Sequence, residues 1–89
     1  MLGVVRDPEA DAVYIQLSDE PVGYTVGLDE NRLIDRSMNP GKPVGADLLE
    51  VSEWVNLTGL PEADSISRTL EALGIWMVYR MSLIDIPPD

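Results

Sequence analysis

Apolar and polar side chains alternate through most of the first half of the chain, the period of strands with one buried face. From Ala12 to Ser18 the alternation sets Val13, Ile15 and Leu17 against Tyr14 and Gln16. Val22, Tyr24, Val26 and Leu28 share a second such face, opposite Gly23, Thr25 and Gly27. Glycines there predict a bulge or the close approach of a covering element. Leu2 to Arg6 and Arg32 to Arg36 read as shorter strands, and Pro43 to Val51 places Val44, Ala46 and Leu48 on one face. Turn residues separate the runs: Asp7-Pro8-Glu9-Ala10-Asp11, Asp19-Glu20-Pro21, Asp29-Glu30-Asn31 and Asn39-Pro40-Gly41. Strands this close in sequence pair antiparallel, because parallel neighbours need a long crossover.

The period then changes. Ser52-Glu53-Trp54-Val55 reads as one helical turn with Ser52 as its N-cap. A longer helix is expected over about 62–73. Pro61 suits the first helical position, Glu62 and Asp64 suit the positive end of the dipole, and Gly74 suits the stop. Ala63, Ile66, Leu70 and Leu73 form its apolar stripe. Residues 75–84, rich in β-branched and aromatic side chains as far as Tyr79, predict a final strand. The expected fold is α+β: a single domain over residues 1–89, with an antiparallel β-meander of four to five strands, one main C-terminal helix and that last strand.

Composition narrows the chemistry. The 89 residues include no cysteine and no histidine, so disulfides, thiol nucleophiles, histidine-based triads and the usual zinc ligand sets are excluded. Sixteen acidic residues face six basic ones, a net charge of −10 distributed along the whole chain. Such a surface repels phosphate backbones and anionic lipid, which argues against nucleic-acid or membrane partners and favours basic proteins. The N-terminus lacks an apolar run of signal-peptide length, and the longest mainly apolar stretch, Ile75 to Ile84, is interrupted by Arg80. A cytoplasmic protein is expected.

The run Asp7-Pro8-Glu9-Ala10-Asp11-Ala12-Val13-Tyr14-Ile15-Gln16-Leu17-Ser18-Asp19 resembles the opening of a short bacterial and archaeal family catalogued as domain of unknown function 2283. Leu33-Ile34-Asp35 and the closing segment Gly45-Ala46-Asp47-Leu48-Leu49-Glu50-Val51 continue the resemblance, which covers roughly residues 4–55. It implies a compact β-meander with no assigned activity, and a hint of an antitoxin-like role beside small toxin-type proteins. The helix and strand beyond residue 56 depart from that pattern.

Candidate chemistry is sparse. Asp7, Glu9 and Asp11 alternate like the start of a calcium loop, but Ala12 stands where its glycine belongs and Ser18 where its bidentate glutamate belongs. They are weak metal candidates beside the plainer reading of a polar turn, and no metal or other cofactor is expected. Asp35 and Asp47, on adjacent expected strands, are a carboxylate pair of the kind that serves hydrolysis, but nothing in the sequence sets them in a cleft, and no catalytic residue is assigned. Trp76, Val78 and Tyr79 are the interface candidates. One helix can cover only one face of a sheet, so a second polypeptide would shield the rest, giving a homodimer. The expected function is a non-enzymatic, acidic protein-binding or oligomerisation module, with a small basic protein as a further partner. The alternative is a carboxylate-based, metal-assisted hydrolase.

Overall fold

The alternating segments become one antiparallel sheet. In the computed structural model, which describes residues 3–79, its strands are β1 (Gly3–Asp7), β2 (Ala12–Gln16), β3 (Tyr24–Asp29), β4 (Arg32–Arg36) and β5 (Pro43–Leu49). The spatial order is β1-β2-β5-β4-β3. The β1–β2 hairpin and the β3–β4–β5 meander therefore join along β2 and β5, with Val13 opposite Leu48 and Ile15 opposite Ala46. Among the described residues this leaves β1 and β3 as the edges. Both glycine signals are realised: within β3 the register shifts between Gly27 and Asp29, and just before it a side chain at Gly23 would strike the backbone nitrogen of Met38.

After β5 the chain makes a single 3-10 turn (Val51–Glu53), a two-residue strand β6 (Val55–Asn56), the helix α1 (Ala63–Ala72) and a two-residue strand β7 (Met77–Val78). Ser52 lies inside the 3-10 turn and does not cap it: Glu50 precedes the turn with φ 52°, and the Ser52 N–H and hydroxyl donate to Asp11 instead. The helix is shorter at its start than the sequence predicts. Glu62 takes left-handed φ and ψ of 50° and 44°, so the chain turns sharply just before α1 and Pro61 falls outside it. Its end follows the sequence signal. Gly74 sits at φ 74°, its N–H donates to Glu71 O at 3.0 Å, and the Ile75 N–H donates to Leu70 O at 2.9 Å. That pairing is a Schellman motif, closed by the contact of Ile75 and Leu70 in the core. Arg6 adds a bond from β1 to the Leu73 carbonyl.

The final strand differs from its expectation. Among the described residues it is two residues long, and it pairs in parallel with β6 (Val55 with Met77, Asn56 with Val78) as a separate ladder. Residues 80–84 of the expected strand, and the tail after them, lie outside the described residues.

The core lies between the inner sheet face and the C-terminal elements. Val13, Ile15, Ile34, Ala46 and Leu48 from the sheet meet Ile66 and Leu70 of α1, all fully buried. Truncating Ile66 or Leu70 to alanine would cost about 2–5 kcal/mol. The expectation that a second polypeptide shields the sheet concerns its opposite face. It carries Tyr14, Gln16, Thr25, Asp35 and Asp47, with Val5 beside Tyr14 and Leu33 beside Asp47, so it is mainly polar with apolar side chains among the polar ones. Exposed apolar side chains lie on both edge strands, at Val4 and Val5 of β1 and along β3, at Met38, and at Trp54, Trp76 and Tyr79.

Candidate functional site

Two regions gather groups that could do chemistry. The first is the open sheet face. Tyr14 is paired across strands with Asp47, yet its hydroxyl reaches past β5 to β4 and donates to Asp35 Oδ2 at 2.9 Å. Gly45 makes this possible, because a Cβ there would overlap the Tyr14 ring and hydroxyl. Thr25, directly across from Asp35, donates to its other oxygen at 2.6 Å. Asp35 is thus fully engaged, while no donor among the described residues reaches the Asp47 carboxylate.

The electrostatics follow from that arrangement. Burial, then the bond to Asp35, then the charges of Asp35 and Asp47 push the Tyr14 phenol up to about 12. Burial, then the negative charge of Asp35, raises Asp47 above its ordinary value of 3.8. The phenol stays protonated as a hydrogen-bond donor at neutral pH, which is the wrong state for a nucleophile. The expected approach of Asp35 and Asp47 is realised on neighbouring strands, but neither they nor Tyr14 line either of the two depressions beside Trp54.

Asp7, Glu9 and Asp11 do not form a ligand set. Asp7 accepts the Ala10 N–H at 3.2 Å within the turn, and Asp11 accepts from Ser52 more than forty residues away. Glu9 is exposed. Among the described residues no three acidic groups are placed to share a metal ion.

The second region lies where the main sheet meets β6 and β7. A cleft of about 350 Å³ runs beside Trp54, with Leu49 and Val78 among its apolar lining and Asp29, Glu50 and Glu53 among its acids. Arg32 is the cation in its wall. Its Nε donates to Asp29 at 2.8 Å, and its Nη1 donates to the carbonyls of Asn56, at 3.0 Å, and Thr58. Partial burial works against ionisation of Asp29, but the Asn31 N–H and the bonds and charge of Arg32 outweigh it and lower the carboxyl below its ordinary value. The backbone here is strained. Trp54 holds φ 86° and ψ 136°, a conformation disfavoured for any side chain with a Cβ, and strain of this kind concentrates at functional positions.

Trp54 also borders a shallower depression of about 310 Å³ shared with Trp76, Ile75 and Met77. The two indoles meet edge to face, with centroids 4.9 Å apart and planes at 75°. They remain 50% and 67% exposed, and Tyr79 is 68% exposed. Of the interface candidates, Trp76 and Tyr79 thus lie at the surface and Val78 is half-buried, while their alternating neighbours Ile75 and Met77 turn toward the core. Sequence reasoning missed the contribution of Trp54 to this surface and missed the cleft, since both depend on the unusual backbone between Glu50 and Trp54.

No family model, curated protein or solved structure matches this chain. The resemblance over residues 4–55 is therefore carried by its own motifs alone. Among the described residues no helix is long and apolar enough to cross a membrane.

Proposed function

We propose that this chain is a non-enzymatic protein-binding module, acting in the cytoplasm, that associates through the aromatic surface at the C-terminal end of its fold. Its first partner is a second copy of itself, with Trp76, Val78 and Tyr79 in the contact. The supporting observation is the edge-to-face pair of Trp54 and Trp76, each at least half exposed and lining one shallow depression, with Tyr79 exposed three residues further along the chain. Tryptophan and tyrosine dominate the energetically important centres of protein interfaces. Large aromatic side chains left in water forfeit about 25 cal/mol for each Å² that a partner could cover. The competing hydrolase reading lacks comparable support, because its two carboxylates sit on an open face and one is already bound by Tyr14 and Thr25.

Sedimentation velocity at micromolar concentration tests the proposal. The expected result is a species of twice the 9.8 kDa chain mass, reduced to monomer in Trp76→Ala/Tyr79→Ala with an unchanged far-UV spectrum. A wild-type chain that stays monomeric across that range would refute self-association.

A further inference from the structure

We propose that the cleft beside Trp54 is a receptor for one cationic side chain, an arginine or lysine presented by a basic partner protein. Its charge balance argues for a cation. Arg32, the basic residue in the wall, is consumed by Asp29 and by two backbone carbonyls, so it offers little to an incoming anion. Asp29 is neutralised in return. Glu50 and Glu53 remain, both exposed and neither paired with a cation among the described residues, so the cleft carries an uncompensated negative charge.

Its shape and lining argue for a long side chain with a charged tip. A volume of about 350 Å³ is at the small end of ligand pockets, enough for one extended side chain. Val78 and Leu49 line the cleft with apolar surface for a methylene stem, and Glu50 and Glu53 supply carboxylates for its head. Trp54 provides an indole for cation–π contact and is braced at 4.9 Å by Trp76, so the wall is formed before the ligand arrives. The net charge of −10 draws a basic partner toward the molecule and disfavours an acidic one.

The cleft shares Trp54 and Val78 with the surface proposed for self-association, and sedimentation of the same samples reports self-association separately. The test is titration of the full chain with capped tetra-arginine and capped tetra-lysine peptides, followed by the tryptophan indole N–H resonances. Saturable binding is expected, with a shift of the Trp54 resonance. Glu50→Gln/Glu53→Gln is expected to weaken it at least tenfold. Glu9→Gln/Asp19→Asn removes the same charge from exposed residues that do not line the cleft, and is expected to retain wild-type affinity. Equal weakening in both pairs would reduce the effect to net charge and overturn the site. So would a lack of saturable binding by the wild-type chain at millimolar peptide, or equal affinity for capped tetra-glutamate.

Discussion

Replacing Asp47 with asparagine should make the protein more stable, by about 1 kcal/mol at neutral pH. Asp35 and Asp47 occupy diagonal positions on β4 and β5, since Leu33 pairs with Asp47 and Asp35 with Gly45. Diagonal neighbours on one sheet face stand roughly 7 Å apart. Two like charges at that separation repel by ~0.6 kcal/mol in bulk water and by ~2.4 kcal/mol at an effective dielectric of 20. The face is open to solvent, which puts the cost near the lower half of that range. Asparagine removes the repulsion and leaves both bonds to Asp35, from Tyr14 and Thr25, intact. Because Asp47 has its carboxyl raised above 3.8, the folded chain takes up that proton more readily than the unfolded one. The wild-type penalty is therefore present at neutral pH and fades as pH falls through the raised value toward 3.8. Urea unfolding followed by far-UV circular dichroism, at neutral and acid pH and at low and high salt, measures the difference. A destabilised variant, or a gain that is the same at acid pH and in high salt, would refute the reasoning.

Three further outcomes follow from the same geometry. One phenol should ionise near pH 12 in an ultraviolet titration and vanish from the curve in Tyr14→Phe. Because the folded value lies above the ordinary 10.0, the contribution of Tyr14 to stability is complete below pH 10 and is lost as pH rises through about 12. Gly45→Ala should cost about 1–3 kcal/mol in urea unfolding, since its Cβ would displace the Tyr14 ring, and Tyr14→Ala/Gly45→Ala should cost less than the two single changes summed. Thr58 Oγ1 is buried without a partner among the described residues, so Thr58→Val should raise stability by about 1 kcal/mol, read as a higher thermal midpoint.

The main elements were legible in the sequence because they obey local rules. Alternation in Ala12–Gln16 and Pro43–Leu49 marks strands, and the Ile66–Leu70 stripe with Gly74 marks a helix and its stop. What stayed hidden depends on distant partners or on backbone conformations that side chains disfavour. Nothing local tells β2 to choose β5, 29 residues on from Gln16 to Gly45, over β3. The polar outer face was visible residue by residue in Tyr14, Gln16, Thr25, Asp35 and Asp47. It became one continuous patch only when strand order placed them together. Two-residue ladders such as β6 and β7 are too short to show a period, and the cleft exists because Glu50 and Trp54 take positive φ, which no composition rule assigns to glutamate or tryptophan.

The parallel clasp of β6 and β7 also makes the protein its own gauge. Bonds from the Val55 N–H to Trp76 O and from the Leu57 N–H to Val78 O fasten the two chain segments on either side of α1. The same clasp sets both indoles at 4.9 Å with their planes 75° apart, close enough for their excited states to couple. A dichroic exciton couplet thus tracks whether the C-terminal unit is seated. Because that unit and the sheet share one core, the couplet reports in a single spectrum on the packing that holds the two together.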